Sequence, residues 1–596
     1  MVNLAEGQKS RFLLLGILSI ALAGMLLYSN ILHAPFVFDD YNSIVNNEKI
    51  KKTNEVLTGF SENRYLALAS FSFNYAVGGL NPFGYHLVNN LIHVINALLV
   101  YYLVAITFKT PVMIDSKLSW RFIAFFGAFI FVSHPVQTQA VTYIVQRAAS
   151  MATMFYLFSL IMYIKARLIS EESGKRISSY VIYALSIIAA VFAMKSKEIA
   201  ITLPVIAVLY ELFFLNRTSN LKRFFYLFPI LLTMLVIPLS LLNIGGSLES
   251  ITQDIDSRLR ETVNISRTDY LMTQFRVIVT YLRLLVLPLN QSLDYSYTIY
   301  HSFSNPHVFL SFLFLLVIFC YGVYLLCRSR NSDSSLRLIA FGIFWFFITI
   351  SVESSIIPIK DVIFEHRLYL PSIGFFITSV SSLEYLVRRR NVKIVLLTVV
   401  ILFLSVGTYS RNIIWKDSQT LWEDVIKKFP YNARAYNNLG VVFKNRKEYD
   451  KAIEQFEKTL MANRNYSAAY YNLGDIQYML GNKENAINYF KKALELKIGG
   501  RLHMDTINSL GIAYSETGDN DNAVKTFKEA VRLFPSSVIP YNNLGRQYIK
   551  MGESYLAIEI LEKGLKIREE PHLRSSLSTA YTMKAEKEKN SGKAKK

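Results

Sequence analysis

The stretch AYNNLGVVFKNRKEYDKAIEQFEKTL, residues 435–460, returns three times downstream. Its copies are AYYNLGDIQYMLGNKENAINYFKKAL (469–494), TINSLGIAYSETGDNDNAVKTFKEAV (506–531) and PYNNLGRQYIKMGESYLAIEILEKGL (540–565). The Leu-Gly pairs fall at 439–440, 473–474, 510–511 and 544–545, so the steps are 34, 37 and 34 residues. A small residue follows at a fixed place (Ala452, Ala486, Ala523, Ala557), then Phe456, Phe490, Phe527 and Leu561. Apolar positions within each copy recur at helical spacing, and a period near 34 residues describes a stack of helix pairs. Gly and Ala at the crossing point let the two antiparallel helices of a pair approach closely.

This is the tetratricopeptide signature. The step of 37 locates an insertion at KIGGR, residues 497–501. The segment SQTLWEDVIKKFPYN reads as the second helix of a partial repeat stopped by Pro430, and HLRSSLSTAYTMKAEK as a capping helix. Helical-repeat arrays present a concave face that suits extended peptides. Asparagines precede the Leu-Gly pairs: Asn437, Asn438, Asn472, Asn508, Asn542 and Asn543. Two readings of them stand. Asn438, Asn472, Asn508 and Asn543 are candidates to hydrogen-bond an acceptor peptide, or the amides structure the first helix of each pair.

Upstream of the repeats the composition changes. The 596-residue chain is 52% hydrophobic with a mean hydropathy of +0.28, beyond the range of an ordinary soluble domain. Apolar runs recur at 12–32, 85–108, 120–134, 148–167, 178–194, 199–215, 223–243, 306–327, 336–352, 368–387 and 392–410. These eleven runs define an all-α polytopic membrane domain over 1–410, followed by the repeat solenoid over 411–583 and a basic, disordered tail over 584–596. Lys9 and Arg11 precede the first run, and Lys and Arg gather in alternate connections at 109–121, 165–176, 217–223, 328–337 and 388–393. By the positive-inside rule those connections and the N-terminus are cytoplasmic. The alternation holds if 271–289, which carries Arg276 and Arg283, is interfacial or re-entrant. Eleven crossings then put the repeats on the outer side.

The formal net charge of +20 fits cytoplasmic loops and a lysine-rich end, KAEKEKNSGKAKK; no stretch interleaves basic and aromatic residues as a nucleic-acid surface would. The two cysteines, Cys320 and Cys327, lie in one apolar run, which argues against a structural disulfide or zinc site.

Polar residues at membrane depth are expensive and mark function. Four clusters stand out. Asp39 and Asp40 follow the first run on its outer side; adjacent side chains diverge, so one carboxylate can act while the other bonds backbone amides. His86, Asn89, Asn90, His93 and Asn96 share a helical face. The two histidines are about 10 Å apart along the axis, a spacing that suits inter-helix hydrogen bonds better than a shared metal. In SHPVQTQAVTYIVQRAASM, Pro135 opens a helix that carries Gln139, Tyr143 and Arg147 at four-residue steps; Arg147 seeks a bidentate oxyanion or a structural acid. Finally, Lys195, Lys197 and Glu198 occupy one outer-side turn and Asp361, Glu365, His366, Arg367 and Tyr369 another, against the charge bias that sets the topology. Acids and phosphate-seeking cations on one face point to a lipid-linked phosphate at the membrane surface.

Five stretches in order, FVFDD (36–40), YHLVNNLIHVIN (85–96), HPVQTQAVTYIVQR (134–147), KSKEIAITLP (195–204) and EHRLYLPSIG (365–374), with repeats after them, resemble the transmembrane and tetratricopeptide-repeat O-mannosyltransferases and their bacterial relatives, within the GT-C glycosyltransferase superfamily. The resemblance implies transfer of a sugar, mannose, from a polyprenyl- or dolichyl-phosphate donor to Ser or Thr hydroxyls of secreted or envelope proteins. It implies a catalytic acid at Asp39-Asp40, and matches Glu365, His366 and Arg367 to the family's EHR motif. No metal is expected. On this reading Asp39, with Asp40 as alternate, takes the acceptor's proton and the anomeric configuration inverts. Arg147, Lys197, His366 and Arg367 hold the donor phosphate, supported by Glu198, Glu365, His93 and His134. The location is a bacterial inner membrane with site and repeats periplasmic, or alternatively the ER membrane with both lumenal. Partners are the lipid donor, acceptor proteins on the repeats and membrane lipids. Rival readings are a GT-C enzyme moving another sugar or an oligosaccharide to a pilin, lipid or glycan, and a non-catalytic membrane-anchored repeat scaffold.

Overall fold

The computed structural model describes residues 2–60, 62, 64–170, 176–215, 220–241, 265–331, 333–496 and 499–593. The positions Lys175, Arg217 and Asn264 (the last in an N-x-S pattern), residues 497–498 of the insertion and 594–596 of the tail lie outside them. Every regular element among the described residues is helical, and the chain divides into two compact units, Met1–Leu421 and Trp422–Lys596. The first therefore runs past the boundary expected at 410.

In the first unit seven helices are long and apolar enough to cross a membrane; among them are Pro82–Thr107, Ile144–Ile169, Pro306–Ser329 and Arg390–Ile414. Trp120–Ser133 and Ser335–Ile350 are shorter apolar helices at two further expected spans. The expected runs at 199–215 and 368–387 differ. Each begins with a 3-10 turn, Glu198–Thr202 or Glu365–Leu368, and only then enters a short helix, Leu203–Phe214 or Pro371–Leu386. A helix of twelve residues is about 18 Å long, short of a hydrocarbon core of about 30 Å. Polar residues that must meet partners near the surface use up the first turn. Helix length alone therefore does not carry a count of eleven crossings. Arg267–Val286 is a separate helix outside the membrane-length set, and it buries one face through Tyr270, Val277, Tyr281 and Leu284.

The first helix shows how the sequence divides core from lipid. Leu14, Leu18, Leu22 and Leu26 stand exposed at four-residue steps, while Ile20 is buried. Exposed leucines in a stripe are what a lipid-facing surface needs. Ser335–Ile350 and Pro371–Leu386 cross at Gly342 and Gly374. A methyl group on Gly374 would come 2.5 Å from the Gly342 carbonyl oxygen and 2.7 Å from the Trp345 ring. A deep ion pair braces the opposite end of the bundle: Arg167 Nε donates to Glu211 Oε1 at 2.5 Å, and the Tyr163 hydroxyl donates to the same oxygen at 2.8 Å.

The second unit is built of helix pairs, beginning with Ala433–Asn445 and Tyr449–Ala462. Gly440, Gly474 and Gly511 face Phe456, Phe490 and Phe527, where an added methyl would sit 2.4–2.7 Å from the ring. Residues 584–593, expected in a disordered tail, continue the last helix, Pro571–Lys593.

Candidate active site

Asp39 and Asp40 enter the structure differently. The backbone is strained just before them: Phe38 has φ +48°, a left-handed conformation that costs a residue with a side chain roughly 1–2 kcal/mol. The chain then enters a single π-helical turn, Tyr41–Val45. Asp40 is wholly buried, and both its oxygens accept from backbone: Oδ2 from Val37 N at 3.0 Å and Oδ1 from Val145 N at 2.8 Å. Burial pushes its pKa up to about 7 despite those amides. Asp40 therefore ties its own loop to the Tyr143–Arg147 segment. Asp39 is only partly buried. Its N–H donates to the Tyr143 hydroxyl at 2.9 Å, and its carboxylate also lies against that hydroxyl. Of the two acids, Asp39 is the more exposed.

The segment expected as one helix from Pro135 is broken. It runs as a 3-10 turn Pro135–Gln137, a short helix Thr138–Thr142, an extended Tyr143 (φ −75°, ψ 107°), a second 3-10 turn Ile144–Gln146, and the Arg147–Ile169 helix. The break turns Arg147 away from the face of Gln139. The guanidinium is fully buried and bound to neutral acceptors: Nε to Asn89 Oδ1 at 2.6 Å, Nη1 to Asn74 Oδ1 at 2.5 Å, Nη2 to the Tyr85 carbonyl at 2.9 Å. It also lies 4.6 Å from the Phe71 ring centre. Arg147, expected at the donor phosphate, spends these donors within the protein, and its hydrogen bonds lock three helices together.

Gln139 leads to the second half of the site. Its Oε1 accepts from the His366 backbone N–H at 2.8 Å and lies 3.2 Å from His366 Nδ1. Gln139, inside the Thr138–Thr142 helix, meets His366, and Tyr143, the extended residue that ends that helix, meets Asp39. The His366 pKa is driven well below the ordinary histidine value, first by burial and then by the charges of Lys197, Arg367 and Arg64. His366 is consequently a neutral imidazole at pH 7. The cations beside it are Lys197, paired with Glu353 at 2.8 Å; Arg367, whose Nη1 and Nη2 donate to the carbonyls of Val362 (3.2 Å) and Asp361 (2.6 Å); and Arg64, paired with Glu198 at 3.0 Å.

Glu365 has a structural position. It accepts from Ser292 N (2.7 Å), the Tyr295 hydroxyl (2.5 Å) and Gln291 Nε2 (2.7 Å), so it holds the 291–295 loop. Burial raises its pKa, and the charge of Arg411 opposes that shift. Among the described residues, three of the four non-glycine positions with positive φ border this region: Phe38, Arg64 and Asn290, next to Gln291. Strain of this kind clusters where a site dictates the backbone. His93 bonds the Tyr369 hydroxyl (2.7 Å) and the Val132 carbonyl (3.2 Å); His134 bonds the Leu285 carbonyl (3.1 Å). Both clamp helices. No cluster of three or more His, Cys, Asp or Glu suited to a metal ion occurs among the described residues.

In the repeats, the asparagine amides bond one another. Asn472 donates to Asn437 at 3.2 Å and Asn543 to Asn508 at 2.9 Å. Lys444 adds a contact to Asn472 at 2.8 Å. Asn472, Asn508 and Asn543 therefore form rungs between successive repeats, and the expected peptide-binding role is not carried by these contacts. Asn438 Nδ2 is buried without a protein partner.

With this geometry in view, the similarities are specific. Protein O-mannosyl-transferase TMTC3 of Homo sapiens is 23% identical over 91% of this chain and 63% of its own length. TMTC2 of Homo sapiens is 25% identical over 89% and 78%, and F38B6.6 of Caenorhabditis elegans 27% identical over 70% and 58%. The chain is similar to TMTC-type proteins over most of its length. It spans less than two thirds of the length of TMTC3 and F38B6.6. Tetratricopeptide-repeat family models match residues 431–499, 505–537 and 540–571. Among solved structures, MamA is 24% identical over 25% of this chain and 85% of its own (TM-score 0.23), and the tetratricopeptide protein YrrB 19% identical over 28% and 84% (TM-score 0.25).

The sequence patterns passed over Arg64, Gln291, Tyr295, Glu353 and Arg411. For Arg411 a signal existed: a cation at the end of a long apolar run, where the expected topology predicts few positive charges. Arg64 and Glu353 carried none, because their roles arise only from what they face.

Proposed function

We propose that this chain is an integral-membrane glycosyltransferase that moves a sugar, mannose, from a polyprenyl-phosphate carrier to a Ser or Thr hydroxyl of a protein acceptor. Similarity to proteins named O-mannosyl-transferases over most of the chain supports the class of reaction. One observation carries the mechanism: the Gln139–Tyr143 segment contacts the partly exposed Asp39 through Tyr143 and His366, with its surrounding cations, through Gln139.

The donor's anomeric carbon is bonded to a phosphate oxygen, and phosphate leaves without needing a proton. As the acceptor oxygen bonds that carbon, its proton passes to the Asp39 carboxylate, and the carbon–oxygen bond to phosphate breaks with its electron pair on the phosphate. Lys197, Arg367 and Arg64 supply positive charge for that anion. A neutral His366, its Nδ1–H toward the Gln139 oxygen, leaves Nε2 as an acceptor for a hydroxyl of the substrate. Attack opposite the leaving phosphate inverts the anomeric centre. Asp40 acts by holding the loop. The reaction takes place at the periplasmic face of a bacterial inner membrane, and the repeats bind the acceptor protein.

The test compares Asp39→Asn with wild type in membranes supplied with polyprenyl-phosphate mannose and a Ser/Thr-containing acceptor. Transfer should fall by about 10²–10⁴ while the melting temperature in detergent stays put. Undiminished transfer would remove Asp39 as the base.

A further inference from the structure

The first unit contains a second feature, remote from this site. A cavity of about 1050 Å³ is walled by the first helix (Leu15, Gly16, Ser19), the start of Trp120–Ser133, and the Glu384–Ile394 corner. It lies at the other end of the helices that reach the site. Arg390–Ile414 begins at the cavity and ends beside Trp415, whose ring is 5.7 Å from that of Tyr143. Twenty-five residues of helix span about 37 Å, a membrane's thickness. Trp120–Ser133 likewise begins at the cavity and ends at His134. By the charge bias of the loops, this end is cytoplasmic.

The lining is divided by chemistry. Leu15, Phe122, Phe125 and Ile394 supply an apolar wall; Arg121, Arg390 and Lys393 supply three cations against one carboxylate, Glu384. Lys393 is buried, ion-paired with Glu384, and its ammonium lies 5.1 Å from the Phe122 ring centre. Arg121 is exposed and lies 5.3 Å from the Trp120 ring centre. Arg121 and Arg390 carry no ion pair to an acid among the described residues, so two guanidinium charges rim an aromatic-walled cleft. Basic pockets between membrane helices on the cytoplasmic side are suited to anionic lipid headgroups.

We propose that this cleft binds an anionic glycerophospholipid of the cytoplasmic leaflet, with its phosphodiester against Arg121 and Arg390 and its acyl chains along Leu15, Phe122, Phe125 and Ile394. The bound lipid braces the N-terminal half of the first helix, whose other end carries the Asp39 loop. Charge complementarity selects the occupant: a zwitterionic lipid brings its own cation against the two arginines.

The experiment is native mass spectrometry of the full-length protein in detergent with added phosphatidylglycerol, phosphatidylcholine or polyprenyl phosphate. Wild type should retain phosphatidylglycerol over phosphatidylcholine. Arg121→Gln/Arg390→Gln should weaken that retention by about thirtyfold. Leu15→Trp, which fills the cleft without changing charge, should weaken it as well, and Lys117→Gln, nearby but not lining the cleft, should not. Equal retention of both phospholipids by wild type would overturn the proposal, as would full retention by either cleft variant. Polyprenyl phosphate displacing phosphatidylglycerol at equal concentration would reassign the cleft to the carrier. The wild-type comparisons stand even where a variant misfolds.

Discussion

At the residue scale, neighbouring identical side chains have been given different work. Asp40 spends both oxygens on Val37 and Val145 amides inside the protein, while Asp39 keeps a partly open carboxylate. The folded state holds the Asp40 proton up to about pH 7, against 3.8 for an unperturbed carboxyl. Between those values the folded protein binds more protons than the unfolded one, so this group's contribution to stability falls as pH rises from about 4 to about 7. Thermal melts in detergent should therefore show a shallower decline over that window for Asp40→Asn than for wild type; identical slopes would contradict the assignment. A second residue-scale effect is in the repeats. The turn seven residues after each Leu-Gly glycine is left-handed at Gly481, Gly518 and Gly552 (φ +82° to +85°), but the first repeat places Lys447 there at φ +63°. A side chain in that conformation costs about 1 kcal/mol relative to glycine. Lys447→Gly should raise the stability of the repeat unit by up to about 1 kcal/mol, read from urea unfolding followed by circular dichroism.

At the element scale, the decisive feature is the interruption at Tyr143. A continuous helix would have set Arg147 on the same face as Gln139; the extended Tyr143 instead sends Arg147 to Asn74, Asn89 and Tyr85. It also frees the Val145 N–H for Asp40. Broken helices at membrane depth are tolerated where such backbone groups find partners within the protein. The contact of Ser335–Ile350 with Pro371–Leu386 is set by the absence of side chains at Gly342 and Gly374. Gly374→Ala would press a methyl into a carbonyl and an indole ring, forcing the helices apart. It should destabilise the unit by roughly 1–3 kcal/mol, visible as a lower melting temperature in detergent, and displace the EHR turn directly before that helix.

At the scale of the whole molecule, each unit has its own core. The repeat core includes Phe490, Phe527 and Leu561; the membrane core includes Tyr156, Trp345 and Ile373. Residues 422–596 expressed alone should accordingly melt cooperatively as a helical protein, monitored by circular dichroism; a chain without a cooperative transition would show that the repeats depend on the membrane unit. Much of this organisation could be read along the chain. Repeat period, helix pairing and apolar runs are properties of residues close in sequence, so hydropathy and spacing determine them. The order of polar motifs from Asp39 to Arg367 was likewise legible, because charge at membrane depth is conspicuous. The chain alone left open which aspartate stays accessible, whether Arg147 faces substrate or helix, and whether His366 carries charge. Those were decided by partners 105 to 227 positions away, such as Val145 for Asp40 and Gln139 for His366. Burial and hydrogen bonding from non-neighbouring helices set the state of a polar group, and no local pattern encodes them.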